Sequence, residues 1–309
     1  MYQLIGKPIG LTSLWVQSAP MFCEYDLHSH STASDGTLSP RELVCRAATA
    51  GVKVLALTDH DTTAGIEEAQ SAATDCGMVL IPGVEISVSW NKQTVHIVGL
   101  NVDIENQELQ QGLREMRVFR DWRAHEIAER LEKAGIKGAY AGALAHSNGT
   151  LVSRTHFARY LVEQGVVSDE RKVFKHYLVN GKPGFVPGQW ADLSQALAWI
   201  HGAGGMAVVA HPARYRMTRS KLRRLFKEFV ALQGEAIEVV SGSHSRDDYY
   251  AMAKHASDFG LMASAGSDFH SPDNPWIEFG KLPLLPDSCR PLWSDWSIDT
   301  ATSNIRKAV

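Results

Sequence analysis

The chain has 309 residues, 44% of them hydrophobic and 21% charged, the composition of an ordinary globular protein, which excludes a wholly disordered or fibrous one. A formal net charge of −3 offers nucleic acid no global attraction, so any contact with it needs a local patch. Cys23, Cys45, Cys76 and Cys289 are scattered without CxxC spacing, which argues for a reducing compartment and against a thiolate metal site.

No apolar run approaches the roughly 18 residues of a membrane span, so a cytoplasmic protein with no membrane contact is expected. Residues 1–23 hold one lysine and a weak apolar middle broken by proline and polar residues. That is a poor signal peptide and reads as an extension ahead of the fold. Short Val/Ile-rich runs then read as buried strands: the opening segment before His28, then "VKVLALTDH", "VLIPGVEISV", "TVHIVGLNV", "MAVVAHP", "AIEVVSGS" and "LMASAGSDFH". After the first, Ser39-Pro40-Arg41-Glu42 joins an N-cap serine, proline at the first helical position and glutamate at N3. Strand, helix, strand predicts a parallel sheet. From 101 to 189 strand alternation gives way to helical spacing through Leu109, Leu113, Met116, Ile127 and Leu131. Ser153 caps a further helix that stops at Gly165, and another runs to Asn180-Gly181. The expected organisation is a barrel domain from 24–100 and 190–290, a helical insertion over 101–189, and a weakly patterned tail over 291–309.

Possible metal ligands sit at the ends of the apolar runs. His28 and His30 follow the first, Asp59-His60-Asp61 the second, Glu85 the third, His211 a later one, and Asp268 with His270 the last. Alternate residues of a strand face one way, so His28 and His30 can aim their imidazoles at one spot. His96 lies inside its run, where a buried imidazole needs a partner. In parallel α/β barrels the loops after the strands build the active site, and these residues would converge there. Each fragment alone has an ordinary reading: a helix N-cap in "TDHD", a turn in "AHP", an Asx turn in "GSDFH". Their joint occurrence at strand ends favours a metal site. A mixed His/carboxylate set suits Mn2+, Zn2+ or Fe2+ better than Ca2+. So many ligands exceed the roughly four to six positions of one ion, and two or three ions fit better, with Glu85 bridging and a water activated as nucleophile.

The segments "DLHSHSTASDG", "LALTDHDT", "IPGVEIS", "HIVGLNVD", "AVVAHPARY" and "GSDFH" closely resemble the PHP (polymerase and histidinol phosphatase) superfamily of metal-dependent phosphoesterases. "SRTHFARYLVEQG", "VFKHYL", "GKPGFVPGQW" and "GSDFHSPDNPWIEFG" are similar to its RNase AM branch, also described as 3′,5′-nucleoside bisphosphate phosphatase. The resemblance spans roughly Glu24 to Trp296. It implies an α/β fold, a distorted seven-stranded β/α barrel of TIM-like, PHP type with a helical insertion. It implies three divalent ions, usually Mn2+, with Zn2+, Fe2+ or Mg2+ as substitutes. Carried over, His28, His30, Glu85 and Asp268 would hold one ion and the attacking water; Asp35, His60 and His96 a second; Glu85, His211 and His270 the third.

The implied activities are removal of the 3′-phosphate from nucleoside 3′,5′-bisphosphates and 5′→3′ release of mononucleotides from 5′-phosphorylated single-stranded RNA. No protein partner is implied. A second phosphate needs fixed cations, and Arg154, Arg159 and Arg214, with His156, are the candidates, because the arginine fork matches phosphate. Arg159 reads equally as an exposed helix charge. Arg216, Arg219, Lys221, Arg223, Arg224 and Lys227 form a basic run that suits either an RNA backbone or a solvated helix face. Phe157, Tyr160, Phe185 and Trp190 are candidates for base stacking or for core packing. The competing functions are a phosphatase for another small phosphomonoester such as histidinol phosphate and a non-catalytic metal-binding module.

Overall fold

A computed structural model describes residues 22–147, 151–299 and 304–307. All but the last two residues of the extension expected over 1–23 lie outside the described residues. The expected strands all form: β1 (Tyr25–Asp26), β2 (Val54–Leu57), β3 (Val79–Trp90), β4 (Gln93–Leu100), β5 (Met206–Val209), β6 (Ala236–Ser241) and β7 (Met262–Gly266), in one sheet in chain order. β2, β5 and β6 are buried throughout, as strands covered on both faces must be. The sheet closes on itself. The Leu27 N–H donates to the Ala265 carbonyl at 2.9 Å, and His30 N–H to the Phe269 carbonyl at 2.9 Å, so the first and last strands meet.

The parallel expectation fails at one strand. β4 is antiparallel to both β3 and β5. The cause is the turn Asn91-Lys92, with φ of 45° and 62°, a two-residue hairpin connection whose twist suits adjacent strands and leaves no room for a crossover helix. The reversal also explains His96. The barrel mouth lies at the ends of the parallel strands but at the beginning of β4, so the ligand sits inside its apolar run rather than after it.

Helices cover the barrel. α1 (Pro40–Thr49) starts with the expected capping box, in which Ser39 and Glu42 satisfy each other's backbone N–H. With α2 (Ile66–Cys76) it packs Leu43, Val44, Ile66 and Ala69 against Leu55 and Leu57. Between β4 and β5 come α3 (Gln107–Lys133), α4 (Ala139–His146), α5 (Arg154–Glu163), α6 (Glu170–Val173) and α7 (Leu193–Gly202). α3 serves two cores: Leu109 and Leu113 pack into the barrel layer, while Ile127 and Leu131 join a separate cluster with Phe157 and Leu161. α5 ends just before Gly165, whose φ of 67° closes the helix. α8 (Arg219–Ala231) and α9 (Arg246–Phe259) complete the outer layer. In the tail, where the sequence pattern is weak, Trp296–Asp299 and Asn304–Lys307 pair as a small antiparallel sheet.

Gly266 sits where β7 passes β1. A Cβ there would lie 2.4 Å from His28 Cβ and 2.9 Å from His28 N, atoms that cannot yield without moving the backbone. Gly266→Ala is therefore expected to cost about 1–3 kcal/mol and to lower the calorimetric Tm by about 5 °C. An unchanged Tm would show that the strands separate freely.

Candidate metal centre

The mouth of the barrel gathers imidazoles and carboxylates from six strands, from beyond the ends of β1, β2, β5 and β7 and from within β3 and β4. β1 runs on through Leu27, and its alternation turns His28 and His30 inward, both fully buried. Ser29 faces the other way, donating its Oγ to the Ala56 carbonyl at 2.7 Å. Backbone bonds then seat Glu85 beside the end of β2: its N–H donates to the Thr58 carbonyl at 3.1 Å, and its carbonyl accepts from Asp61 N–H at 3.0 Å.

Glu85 is the hub. Its Oε1 lies 2.8 Å from His96 Nδ1 and 3.1 Å from His211 Nε2. Its Oε2 lies 2.9 Å from His60 Nδ1 and 3.3 Å from both His28 Nε2 and His30 Nε2. Asp268 Oδ1 stands 3.3 Å from His30 Nε2, and Asp35 Oδ1 stands 3.3 Å from His270 Nε2. Burial raises the Glu85 carboxyl, but the imidazoles of His96, His60 and His28 outweigh it and hold the group well below its ordinary value. Asp268 is held down likewise, by His28 and His270 against burial.

These contacts fit shared cations better than hydrogen bonds. Glu85 Oε2 accepts no hydrogen bond although three ring nitrogens lie within 3.3 Å, and Asp35 Oδ1 is buried without one. His28 Nε2 and His30 Nε2 face each other at 3.1 Å. Among the described residues, four groups have possible ligand atoms within 4.8 Å of one another: His30, Asp35, His60 and His270; His28, Glu85 and His211; His28, His30 and Asp268; and His60, Glu85 and His96. Donor atoms are nitrogen and oxygen without sulfur, the set that suits borderline divalent cations. All nine expected candidates therefore meet, though the groups differ from those expected: His96 stands with His60 and Glu85 rather than with Asp35, and His211 with His28 and Glu85. His270 stands with His30, Asp35 and His60 rather than with His211, because closure of β7 on β1 stacks its ring 4.1 Å from that of His30.

Neighbouring groups orient the ligands. Glu238 Oε1 lies 2.5 Å from His28 Nδ1, and its Oε2 accepts from His211 N–H at 2.6 Å. Of the acids flanking His60, neither is a ligand. Asp59 accepts from Ser31 Oγ at 2.7 Å and Ser34 Oγ at 2.6 Å, fixing the loop that presents Asp35. Asp61 accepts from Arg120 Nε at 2.6 Å. Asp61, His211 and Asp268 hold φ of 51°, 29° and 58°, left-handed conformations that non-glycine residues adopt at a cost and that functional sites retain.

Beside the cluster lies a cavity of about 160 Å3, walled by Glu85, His96 and His211 on one side and by Arg120, Arg123, Arg154 and Arg214 on the other. Burial, then the neighbouring charges of Arg154 and Arg120, pushes Arg123 down to about 9. Burial and Arg120 lower Arg154. Arg214 donates to Asp268 Oδ2 at 2.5 Å, linking the cationic wall to the cluster.

Two expected phosphate ligands are engaged elsewhere. His156 is buried and its Nδ1 accepts the Ser153 N–H at 3.0 Å, closing the cap of α5. Arg159 donates to the Asp35 carbonyl at 2.7 Å. Phe157 is core, the Tyr160 hydroxyl donates to the Lys137 carbonyl, and Phe185 is absent from the cavity wall; only Trp190 of that aromatic set lines it, opposite Phe174. In the basic run Arg223 donates to Asp258 at 2.6 Å and Arg224 lies 3.4 Å from Glu228, the signature of a solvated helix face. Sequence reasoning missed Glu238, Arg120 and Arg123. Glu238 is signalled by a lone acid inside the apolar run "AIEVVS"; the two arginines, three apart on α3, read as ordinary helix surface.

The sequence profile of the PHP domain matches residues 26–180. A 3′,5′-nucleoside bisphosphate phosphatase from Chromobacterium violaceum is 51% identical over 87% of this chain and 95% of its own. A 5′-3′ exoribonuclease from Haemophilus influenzae is 50% identical over 87% of this chain and 98% of its own. A solved structure described as an amidohydrolase from Chromobacterium violaceum, with bound sulfate and no metal, superposes with a TM-score of 0.86 at 48% identity, covering 93% of this chain and 99% of its own. Among the described residues no helix is long and apolar enough to cross a membrane.

Glu238 touches two ligands without being one. Glu238→Gln keeps the shape but removes the charge behind His28, and is expected to weaken Mn2+ binding about 10–100-fold by isothermal titration. Equal affinity in the variant would reduce Glu238 to a packing role.

Proposed function

The chain belongs to the PHP domain family, and from that premise we propose that it is a phosphoric ester hydrolase cutting the 3′ phosphoester of 5′-phosphorylated nucleotides. It removes the 3′-phosphate from nucleoside 3′,5′-bisphosphates and releases mononucleotides 5′→3′ from single-stranded RNA. The names of the two relatives at about half identity support both activities. The observation that carries the reading is the crowding of Arg123 and Arg154 in a cavity against the cluster, with Arg120 beside them already paired to Asp61. Like charges brought together out of water want an anion between them. A substrate with two phosphates places one there and the other at the cluster.

Two or three divalent ions, Mn2+ by preference, would be held by His28, His30, Asp35, His60, Glu85, His96, His211, Asp268 and His270 and would supply the charge that polarises the scissile phosphate and acidifies a water. The remaining work belongs to the protein. Arg154 grips the 5′-phosphate and sets its distance from the cluster, with Arg123 fixed beside it by donating its Nε and Nη2 to the Val186 carbonyl at 3.1 and 2.9 Å. Arg214, tied to Asp268, reaches the scissile phosphate from the side. Trp190 is held by the guanidinium groups of Arg120 and Arg123, 4.9 and 5.4 Å from its ring centre, and offers a base a stacking surface with little sequence preference. One geometry thus serves both substrates, since the departing group is phosphate in one and the RNA chain in the other. A phosphomonoester with one anion, such as histidinol phosphate, leaves the arginine cavity unfilled. The helices over 101–189 lie on the barrel 24–100 and 190–290 and carry an apolar cluster of their own from Ile127, Leu131, Phe157 and Leu161, while Leu109 and Leu113 belong to the barrel core.

The test gives purified protein with Mn2+ four compounds: adenosine 3′,5′-bisphosphate, a 5′-phosphorylated short RNA, the same RNA with a 5′-hydroxyl, and histidinol phosphate. Turnover is expected of the first two, weaker of the third, negligible of the fourth. EDTA should abolish it and Mn2+ restore it. Turnover of histidinol phosphate alone would overturn the proposal. Arg154→Ala should raise KM for the bisphosphate about 10–100-fold at similar kcat, while leaving KM for the 5′-hydroxyl RNA unchanged.

A further inference from the structure

Away from the metal centre two sulfurs separated by 31 positions in sequence meet. Cys45 on α1 and Cys76, the last residue of α2, stand with Sγ atoms 3.4 Å apart, both free and both partly exposed. The helices that carry them are fastened to each other: Arg41 Nη1 donates to Asp75 at 2.8 Å, and the Arg41 N–H donates to Glu68 at 3.1 Å. The contact is therefore a property of helix packing rather than of one mobile side chain. A disulfide needs about 2.05 Å between sulfurs, so closing the gap takes about 1.4 Å of approach, within reach of small rotamer and helix adjustments.

We infer that Cys45 and Cys76 form a reversible redox site, a dithiol that a hydroperoxide converts to a disulfide. One thiolate attacks the peroxide, the O–O bond breaks, a sulfenic acid forms and the reduced half of the peroxide leaves as water or alcohol. The second thiol attacks that sulfur and expels water. Two electrons pass from the sulfurs to the peroxide, and both thiol protons end in the oxygen products. A dithiol reductant reverses the change by exchange. The proximity of Cys45 holds the Cys76 thiol up, so the reaction belongs at mildly alkaline pH.

The bond would close a loop that contains β2 and the segment Thr58–Asp61, which carries His60 into the metal cluster. Oxidation thus pins the ligand-bearing loop from outside, a consequence independent of what substrate the site takes. A closed loop of this length restricts the unfolded chain, and Tm should rise by about 5–10 °C.

The full chain is treated with hydrogen peroxide at pH 8.5 and examined by intact mass, peptide mapping and calorimetry. The expected result is a loss of about 2 Da, a peptide linking Cys45 to Cys76, a fall from four titratable thiols to two in denaturant, the rise in Tm, and reversal by dithiothreitol. Cys45→Ser and Cys76→Ser should each abolish the loss of mass while leaving bisphosphate turnover unchanged. Sulfinic or sulfonic products without the linked peptide, cross-linking between chains, or the same loss of mass in Cys45→Ser would each overturn the inference.

Discussion

A single buried carboxylate organises the mouth of this barrel. Glu85 is removed from water entirely, and a bare charge in that position carries a desolvation penalty of several kcal/mol. Five imidazoles, from His28, His30, His60, His96 and His211, approach its two oxygens within 3.3 Å. At an effective dielectric of about 20, a unit positive charge at 3 Å offsets about 5 kcal/mol, so the carboxylate is sustained only by positive charge close at hand. Protons on the imidazoles can supply it. They do so poorly, because several charged rings packed within about 5 Å repel one another. Divalent cations would satisfy the carboxylate and leave the rings neutral, so metal and proton would compete for such a site.

The strand order follows from that requirement. Ligands must arrive from β1, β2, β3, β4, β5 and β7 at one height, and six parallel strand ends would deliver six post-strand loops. The hairpin at Asn91-Lys92 delivers His96 differently, from within a strand, where the pairing of His96 with Ser87 fixes its height to within one residue. A rigid ladder is a more accurate support than a loop. The left-handed residues Asp61, His211 and Asp268 are the counterpart: in these loops backbone strain is accepted, the His211 N–H donates to Glu238, and Asp61 accepts from Ser87 N–H and Arg120.

What was legible in the sequence divides along physical lines. The strands were readable, and so was the convergence of His28, His30, Asp35, His60, Glu85, His96, His211, Asp268 and His270, because the apolar runs that carry these residues are short and distinct. The capping box at Ser39 and the N-cap at Ser153 were visible for the same local reason, whereas the part His156 plays in closing the second cap was not. The reversal of β4 was hidden in an Asn-Lys turn that carries no glycine. The arginine cavity was hidden too, since Arg120 and Arg123 differ from surface arginines only in what the insertion folds over them. For His156 and Arg159 proximity in sequence to Arg154 says nothing about direction: the first two turns of α5 send His156 back to the cap and Arg159 across to Asp35. The meeting of Cys45 with Cys76 required knowing that α1 and α2 are packed side by side.

Asp35 shows how the two halves of the molecule act as one. It belongs to the barrel loop after β1, yet its Oδ2 accepts from Ser153 Oγ at 3.2 Å and Thr155 Oγ1 at 3.0 Å, and its carbonyl accepts from Arg159, all from the start of α5. The same turn carries Arg154 into the cavity. Any displacement of the helical layer that moves the arginine therefore pulls on a carboxylate facing His270 and His60. The reverse also holds, since an ion that fixes Asp35 fixes the start of α5 and hence the arginine. Linkage of this kind is reciprocal: an anion seated between Arg123 and Arg154 must tighten the hold on the ion at Asp35 by the factor with which that ion favours the anion. On the proposed reading, the distance between the two phosphate positions would be set by the few hydrogen bonds to Asp35.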